Sequence, residues 1–303
     1  MMLRLRLPAL LAALLPAWAC QSAEAEEARD AAVLVHGAAA IGNLAAEGST
    51  EPGDLIHAGQ LTQGGWIRGK VPGNAVSLRL GDTPVAIAPD GSFFAAFDRD
   101  EGAAAPLTVE LADGSVLTRD VAVAPRAWNI EHINAARRPG GASADFMRRR
   151  QPELDQIWNA RQVRSDSAGW TQDFIWPVQG RISGRFGSQR VYRGEPGAYH
   201  SGLDIATGTS GTPIVAPADG VVVLAVTAFS LEGNLLIVDH GQGLNSAFLH
   251  LSAIEVEQGE HVTQGQQIGR IGASGRATGP HLHWSIKWHE ARLDPLLFVD
   301  PSA

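Results

Sequence analysis

The sequence predicts a mainly β protein: a C-terminal antiparallel β domain, preceded by a small β-sandwich and a short helical connector. The 303 residues include 34 Gly and 17 Pro, and only 18% are charged, which favours turn-rich β structure over helical bundles. Apolar and polar residues also alternate in short segments bounded by turn residues, as in half-buried strands. A chain of this length accommodates two ordinary domains.

The first residues have the pattern of a secretory signal peptide, predicted to be residues 1–19. Arg4 and Arg6 precede an apolar run from Leu7 to Trp18, and Ala17-Trp-Ala19 is a small-x-small cleavage site. We therefore expect export to the periplasm or cell envelope. No later apolar run approaches the ~20 residues that span a bilayer.

Cys20, the only cysteine, follows the predicted cleavage site directly. It is either the lipidated first residue of a lipoprotein or a residue next to an ordinary cleavage point. Lipoprotein signals usually have leucine three residues before the cysteine and a small residue two before it, whereas Ala17 and Trp18 stand there. We expect a membrane contact only if Cys20 is lipidated. A single cysteine excludes an internal disulfide.

The next two regions are a predicted leader and a predicted β-sandwich. Residues 20–60 are rich in Ala, Glu and Gly with weak periodicity, so we expect a partly disordered mature leader. Residues 61–125 contain six short alternating segments separated by turn residues such as Asp90-Gly91 and Asp113-Gly114. This module has no cluster of catalytic residue types. We expect a spacer or a docking module, which could contact another envelope protein.

Residues 126–173 form a predicted helical connector. Ser143 is placed to cap a short helix that runs to Arg150, and Pro152 suits the first turn of a second helix. The run from Arg148 to Arg150 could touch an anionic polymer or lipid, although three such charges are more often a solvated helix face.

The predicted C-terminal β domain spans residues 174–303. The segment Gly180–Gly187 is punctuated by glycine like a hairpin, and strand-like segments follow without a convincing amphipathic helix. The strand-like segments are 220–226, 234–240, 246–251, 266–271 and 281–288. The formal net charge of -8, without any Lys/Arg patch, excludes a nucleic-acid-binding surface.

Five residues of this domain predict a zinc site with histidines to spare: His200, Asp204, His250, His281 and His283. A catalytic zinc needs three imidazole or carboxylate ligands and one open position for water. Two residues apart in a strand, His281 and His283 should emerge on one face, with Leu282 and Trp284 packing on the other. The loop pair His200 and Asp204 could then converge with them on one cation.

Other candidate groups in the domain have simpler interpretations. We expect turn or surface positions for His240, His261 and His289. No serine lies in a Gly-x-Ser-x-Gly elbow, so serine-nucleophile chemistry is not expected.

Several ordered motifs resemble the M23 peptidases, the lysostaphin/LytM-type zinc endopeptidases that cleave peptidoglycan. They are Gly180–Gly187, His200-x-x-x-Asp204 with Gly202-Leu-Asp-Ile, Ala216-Pro-Ala-Asp-Gly-Val-Val, His250 before Leu-Ser, and Ser274-Gly-Arg-Ala-Thr-Gly-Pro-His-Leu-His283. The resemblance covers about residues 176–298. The leader and the predicted sandwich lie outside it.

The resemblance implies that His200, Asp204 and His283 bind one Zn²⁺ and that His250 and His281 are the catalytic histidines. It also implies hydrolysis of peptidoglycan cross-link peptides by zinc-activated water. One departure is Phe248, where the family often has tyrosine two residues before the lone histidine; Tyr199 is a candidate replacement for that hydroxyl.

A second function remains open, because some members of the family have lost zinc ligands and instead bind and activate cell-wall amidases. This sequence retains all five site residues. Selection for binding alone gives no reason to keep a complete ligand set, which favours the enzyme.

Overall fold

The computed structural model describes residues 55–136, 143–300 and Ser302. The predicted signal peptide, Cys20 and most of the predicted leader lie outside these residues. Within them, no helix is long and apolar enough to cross a membrane. The fold is mainly β with antiparallel sheets, which confirms the predicted fold class.

Two antiparallel sheets are formed between residues 56 and 122, in the orders β1-β2-β5 and β4-β3-β6-β7. Their strands are β1 (Ile56–Gly59), β2 (Trp66–Lys70), β3 (Ala75–Leu80), β4 (Thr83–Pro84), β5 (Ser92–Ala96), β6 (Ala104–Leu111) and β7 (Val116–Ala122). The sequence predicts a strand over Pro84–Ala88, but only Thr83–Pro84 forms a strand, after which the Val85 amide still donates to the Leu78 carbonyl at 2.9 Å. The chain then turns at Ala88, whose carbonyl accepts from the Gly91 amide, and Pro89 has no N–H to continue a ladder.

The connector contains strand β8 (Ile130–Ile133) and one helix, α1 (Ala144–Gln162). Ser143 is the N-cap, accepting a hydrogen bond from the Phe146 amide at 3.1 Å. The prediction of two helices separated at Pro152 is wrong, because Pro152 lies inside α1. An interior proline costs a helix about 3 kcal/mol. Packing of α1 on the C-terminal domain offsets this cost.

Arg150 anchors α1 to the C-terminal domain through buried ion pairs. Its guanidinium lies 2.6 Å from carboxylate oxygens of both Glu153 and Glu232. Glu153 in turn accepts hydrogen bonds from the Ser230 amide and hydroxyl. Arg150 is only 6% exposed, so it is neither part of a solvated helix face nor available to an anionic polymer or lipid.

The C-terminal domain is built on one eight-stranded antiparallel sheet in the order β18-β14-β15-β16-β20-β12-β9, with β21 beside β20. The strands from β9 onward are β9 (Arg181–Gly184), β10 (Gln189–Tyr192), β11 (Glu195–Pro196), β12 (Leu203–Ala206), β13 (Pro213–Val215), β14 (Gly220–Phe229), β15 (Gly233–Gly241), β16 (Leu244–Leu251), β17 (Ala253–Ile254), β18 (His261–Val262), β19 (Gln267–Arg270), β20 (Leu282–Trp288) and β21 (Ala291–Leu293). Short 3-10 helices occupy Gly169–Thr171 and Pro295–Leu297.

Two smaller sheets flank the large one, in the orders β13-β19-β17 and β11-β10-β8. In the second, connector strand β8 pairs in parallel with β10. The predicted hairpin over Gly180–Gly187 is wrong, because β9 pairs with β12 instead. The partner strand lies about twenty residues later in the chain, so the turn residues within Gly180–Gly187 cannot reveal this pairing.

Aromatic side chains join the core of the N-terminal sheets to that of the C-terminal domain. The Phe298 ring lies 5.7 Å from Trp66, 6.4 Å from Phe94 and 5.2 Å from Phe174 between ring centroids. The Trp66 indole N–H also donates to the Leu297 carbonyl at 2.9 Å. The N-terminal sheets are therefore packed on the C-terminal domain through one continuous core.

His240 is fully buried in β15, so the expectation of a turn or surface position is wrong for it. Its Nδ1–H donates to the Asp219 carbonyl at 2.8 Å, and its Nε2 lies 2.9 Å from the Ser246 hydroxyl, which then donates. Burial lowers the pKa of His240 to about 4. The expectation is confirmed for the other two histidines: His261 is exposed and His289 lies in a turn.

We expect Phe298→Ala to lower the free energy of unfolding by about 3–5 kcal/mol, because it leaves a cavity where three aromatic rings meet. Urea denaturation followed by circular dichroism and by tryptophan fluorescence measures this. Both signals should shift together, since the core is shared. Trp158→Ala, at a 54% exposed position of α1, is the control and should have a much smaller effect. Two separate transitions would contradict a shared core.

We expect stability to fall as pH drops from 6.5 to 4, partly because of His240. Over this range the unfolded chain protonates this histidine while the folded chain keeps it neutral, so acid favours unfolding. The full effect is about 3 kcal/mol, present above pH 6.5 and lost by pH 4. Denaturation at several pH values should show a shallower pH dependence for His240→Gln than for the wild type. His261→Gln, at an exposed position, is the control. If the unfolding free energy changes with pH equally in the wild type and in His240→Gln, the contribution of His240 is refuted.

Candidate metal centre and active site

Three predicted ligands meet where strands β12 and β20 pair. Asp204 in β12 stands directly opposite His283 in β20, and His200 lies in the loop that leads into β12. Asp204 Oδ1 is 2.8 Å from His283 Nδ1 and 3.1 Å from His200 Nε2. The two ring nitrogens are themselves 3.1 Å apart. One oxygen and two nitrogens therefore converge on a single point.

The arrangement fits a small divalent cation. Zinc binds nitrogen and oxygen ligands at about 2.0–2.2 Å, so donor atoms of a tetrahedral site lie roughly 3.4 Å apart. The three separations here are slightly shorter than that edge. His200 Nδ1–H donates to the Arg185 carbonyl at 3.1 Å, which orients the ring so that its Nε2 is directed at the other two ligands and can bind a metal once it is deprotonated. Among the described residues, these three form the group suited to hold a metal ion.

Electrostatics favour an ionised carboxylate at the centre. Burial raises the pKa of the Asp204 carboxyl, but hydrogen bonds with His200 and His283 and their charge lower it well below its usual range. Burial lowers the pKa of His283, which favours its neutral form. For His200 burial acts in the same direction, but the hydrogen bond and charge of Asp204 raise its pKa overall. A bound cation would displace a proton from such a histidine.

His250 and His281 lie beside this centre with their rings 5.0 Å apart. His281 Nδ1–H donates to the Gly279 carbonyl at 2.8 Å, and His250 Nδ1–H donates to the Ser274 carbonyl at 2.9 Å. Each Nε2 is therefore free to accept a proton. His281 Nε2 is 3.8 Å from Asp204 Oδ1. Burial lowers the pKa of His250, which favours its neutral form.

Strand alternation separates the site from the core as the sequence predicts. Leu282 and Trp284 are fully buried, whereas the side chains of His281 and His283 are 16% and 13% exposed on the opposite face. The structure thus brings all five predicted site residues into one cleft.

Two glycines make room for the ligands. Both belong to the motifs described above, but the motifs alone predict no role for them. A Cβ at Gly184 would lie 2.3 Å from Asp204 Oδ2, and one at Gly202 would lie 2.6 Å from His283 Nε2. Atoms cannot approach so closely, so any side chain there would displace a ligand. Their sequence positions could have revealed this role, because Gly184 lies in the strand paired with that of Asp204 and Gly202 lies in the loop just before it.

The predicted departure at Phe248 has a structural explanation. Phe248 is fully buried, opposite Trp284 on the core face of the sheet. Tyr199, the candidate replacement, instead packs its ring against the guanidinium groups of Arg99 and Arg292, at 4.4 and 5.4 Å. Tyr199 therefore belongs to the contact with the N-terminal sheets.

The N-terminal sheets also support the segment that carries His200. Arg99 donates to the Gly187 carbonyl at 3.0 Å, and the Gly187 amide donates to the His200 carbonyl at 2.9 Å. Only 5% of Arg99 is exposed, and its guanidinium also stacks on Trp128 at 5.1 Å. A residue outside the motifs that resemble M23 peptidases thus helps to position a predicted ligand.

Comparison with known proteins agrees with this geometry. Residues 198–295 match Peptidase family M23. The chain carries an M23 peptidase domain. The predicted resemblance is thereby confirmed, and the matched range contains all five site residues.

Curated relatives of this M23 domain include both enzymes and an activator. The domain is 40% identical over 107 residues to the peptidoglycan DD-endopeptidase ShyA of Vibrio cholerae serotype O1, covering 35% of this chain and 24% of ShyA. It is 35% identical over 124 residues to the murein hydrolase activator NlpD of Salmonella dublin, covering 41% of this chain and 30% of NlpD. The chain therefore matches less than a third of either relative.

A solved structure extends the similarity beyond the M23 domain. A candidate peptidase M23 of Pseudomonas aeruginosa is 29% identical, with a TM-score of 0.61 over 79% of this chain and 94% of that one. This coverage exceeds the matched family range by far, so the common architecture includes residues outside the M23 domain.

We expect Gly184→Ala to weaken zinc binding by about 10- to 100-fold, because the added methyl group displaces the Asp204 carboxylate from the other two donors. Competition with a zinc-binding dye would measure the dissociation constant. Gly73→Ala is the matched control, since a Cβ there meets no atom within 4 Å. Unchanged zinc affinity in Gly184→Ala would show that Asp204 does not bind the metal.

Proposed function

We propose that this protein is an exported zinc metalloendopeptidase that hydrolyses peptide cross-links of peptidoglycan. The observation that carries the proposal is the convergence of three donor atoms within about 3 Å of one another, beside two histidines whose Nε2 atoms are free. Binding a metal ion requires only the three donor atoms. Hydrolysis requires in addition a group that can transfer protons, which the two histidines supply.

The proposed ligands are His200, Asp204 and His283, and the proposed catalytic residues are His250 and His281. Bound zinc would lower the pKa of water from 15.7 to about 7 and polarise the scissile carbonyl. The neutral Nε2 of either free histidine can accept the proton of the attacking water. Once protonated, that nitrogen can donate to the developing oxyanion or return the proton to the leaving amine.

The substrate class rests on the relatives rather than on the site. ShyA is named a peptidoglycan DD-endopeptidase, and a Neisseria gonorrhoeae relative, 36% identical over 129 residues, is named a DD-carboxypeptidase/endopeptidase. A cell-wall peptide is therefore the substrate we propose for this chain. Export through the predicted signal peptide would bring the enzyme to it, in the periplasm or cell envelope, with anchoring at Cys20 if that residue is lipidated.

A second candidate function is activation of a cell-wall amidase, favoured by the similarity to NlpD. An activator needs a surface for its partner, and the N-terminal sheets would supply one. It does not need the free Nε2 atoms of His250 and His281 or an ionised Asp204. The presence of all five residues in one cleft supports the enzyme over the activator.

We expect purified wild-type protein to bind about one zinc per chain and to release soluble muropeptides from sacculi. His283→Ala should lose both properties, because it removes a ligand. His281→Ala should keep the zinc but release fragments about 10²- to 10⁴-fold more slowly, because only proton transfer is lost. Metal analysis and chromatography of the digest measure these, and mass spectrometry of the fragments identifies the bond.

His261→Ala, on the exposed surface, is the control and should behave as the wild type. A zinc-loaded wild type that cuts no cross-linked wall would overturn the proposal. Wild-type release by His283→Ala would do the same. Stimulation of a purified amidase by His281→Ala, in the absence of any wall cleavage by the wild type, would establish the activator instead.

A further inference from the structure

A groove of about 1130 Å³ opens beside His200. One wall is formed by the connector around strand β8, and the other by β9 and the segment that follows it. Both walls lie outside residues 198–295, the range shared with the M23 family. Most of the groove is therefore built from residues outside the range matched by the family model, next to the proposed reacting centre.

The groove is positively charged although the whole chain has a formal net charge of -8. Arg185, Arg190 and Arg276 line it, and the single carboxylate among its lining residues is Glu131. Glu131 is already paired with Arg190 at 2.7 Å. Over residues 55–136, 143–300 and Ser302, neither Arg185 nor Arg276 has a carboxylate within 4 Å. Two exposed guanidinium groups thus remain available to a ligand.

These two arginines line the groove together with His200 and belong to segments that carry different parts of the candidate site. The Arg185 carbonyl accepts the hydrogen bond from His200, so Arg185 adjoins the proposed metal ligands. Arg276 lies in the loop between Ser274 and Gly279, whose carbonyls accept from His250 and His281. A peptide that enters the groove beside His200 would therefore meet both guanidinium groups.

We propose that Arg185 and Arg276 bind a free carboxylate of the substrate peptide close to the scissile bond. Resting on the proposed function, this assigns a narrower substrate class: cross-links whose residues keep a free carboxylate, in preference to amidated peptides or glycine bridges. Guanidinium forms charge-assisted, often bidentate hydrogen bonds to a carboxylate, which a carboxamide cannot reproduce.

The test compares two cross-linked peptides that differ only in a carboxylate or carboxamide beside the scissile bond. Binding is measured by calorimetry to full-length His281→Ala, in which cleavage is suppressed. The acidic peptide should bind about three- to tenfold more tightly than the amide, and added salt should reduce this preference. Arg185→Gln and Arg276→Gln should each weaken binding of the acidic peptide and leave that of the amide unchanged.

Arg181→Gln is the matched control, because Arg181 is an exposed arginine of β9 that does not line the groove. It should keep the preference for the acidic peptide. Equal binding of both peptides would overturn the inference. An equal loss of both peptides in Arg185→Gln and Arg276→Gln would overturn it as well, since that result indicates disturbed folding or a general attraction.

The cleavage assay separates this inference from the proposed function. If the wild type releases muropeptides without any preference for the carboxylate, the role of the arginines is refuted and the proposed peptidase function stands. A preference for the carboxylate that depends on the arginines, without any cleavage by the wild type, would remove the peptidase and leave a carboxylate-binding groove.

Discussion

The rest of the site depends on one interaction, the contact of the partly buried Asp204 carboxylate with two imidazole rings. Its two imidazole neighbours stand within 3.1 Å of one oxygen, and only 21% of the side chain is exposed. Keeping that charge away from water is costly unless a cation compensates it. The ladder between β12 and β20 places Asp204 opposite His283, and Gly184 and Gly202 leave the space. The candidate metal centre is thus a consequence of strand register and of two positions that glycine leaves without a side chain.

His200 differs from the other two proposed ligands because no strand holds it. Its loop is supported by hydrogen bonds to Gly187 and Ser188, and Arg99 of the N-terminal sheets secures Gly187 in turn. The guanidinium of Arg99 is enclosed by Trp128 and is nearly inaccessible to water. The module that sequence alone suggests as a spacer or docking module therefore contributes to the geometry of the candidate metal site, and it also shares an aromatic core with the C-terminal domain.

Sequence predicted what depends on local pattern and missed what depends on distant partners. The alternation around His281 and His283 places both on one face, because a strand has a fixed period of two. Long-range contacts decide the exceptions. Pro152 remains in a helix because Arg150 is paired with Glu232, 82 residues away in the chain. His240 is buried because two polar partners satisfy both its nitrogens, and neither partner is evident from its neighbours in sequence.

The connector helix also bears on the active site through the backbone of His250. His250 has φ of +65°, a conformation that costs a residue with a side chain of the order of 1–3 kcal/mol. Its amide donates to the Glu232 carbonyl at 2.9 Å, and Arg150 holds the Glu232 carboxylate. A fragment that began at residue 174, the predicted start of the C-terminal domain, would lose Arg150 and with it the ion pair that holds Glu232, the hydrogen-bond partner of the His250 amide. It would also lose Arg99 and strand β8, and hence support for His200 and one wall of the groove. The unit whose contacts support the candidate site is therefore larger than the segment that carries the motifs.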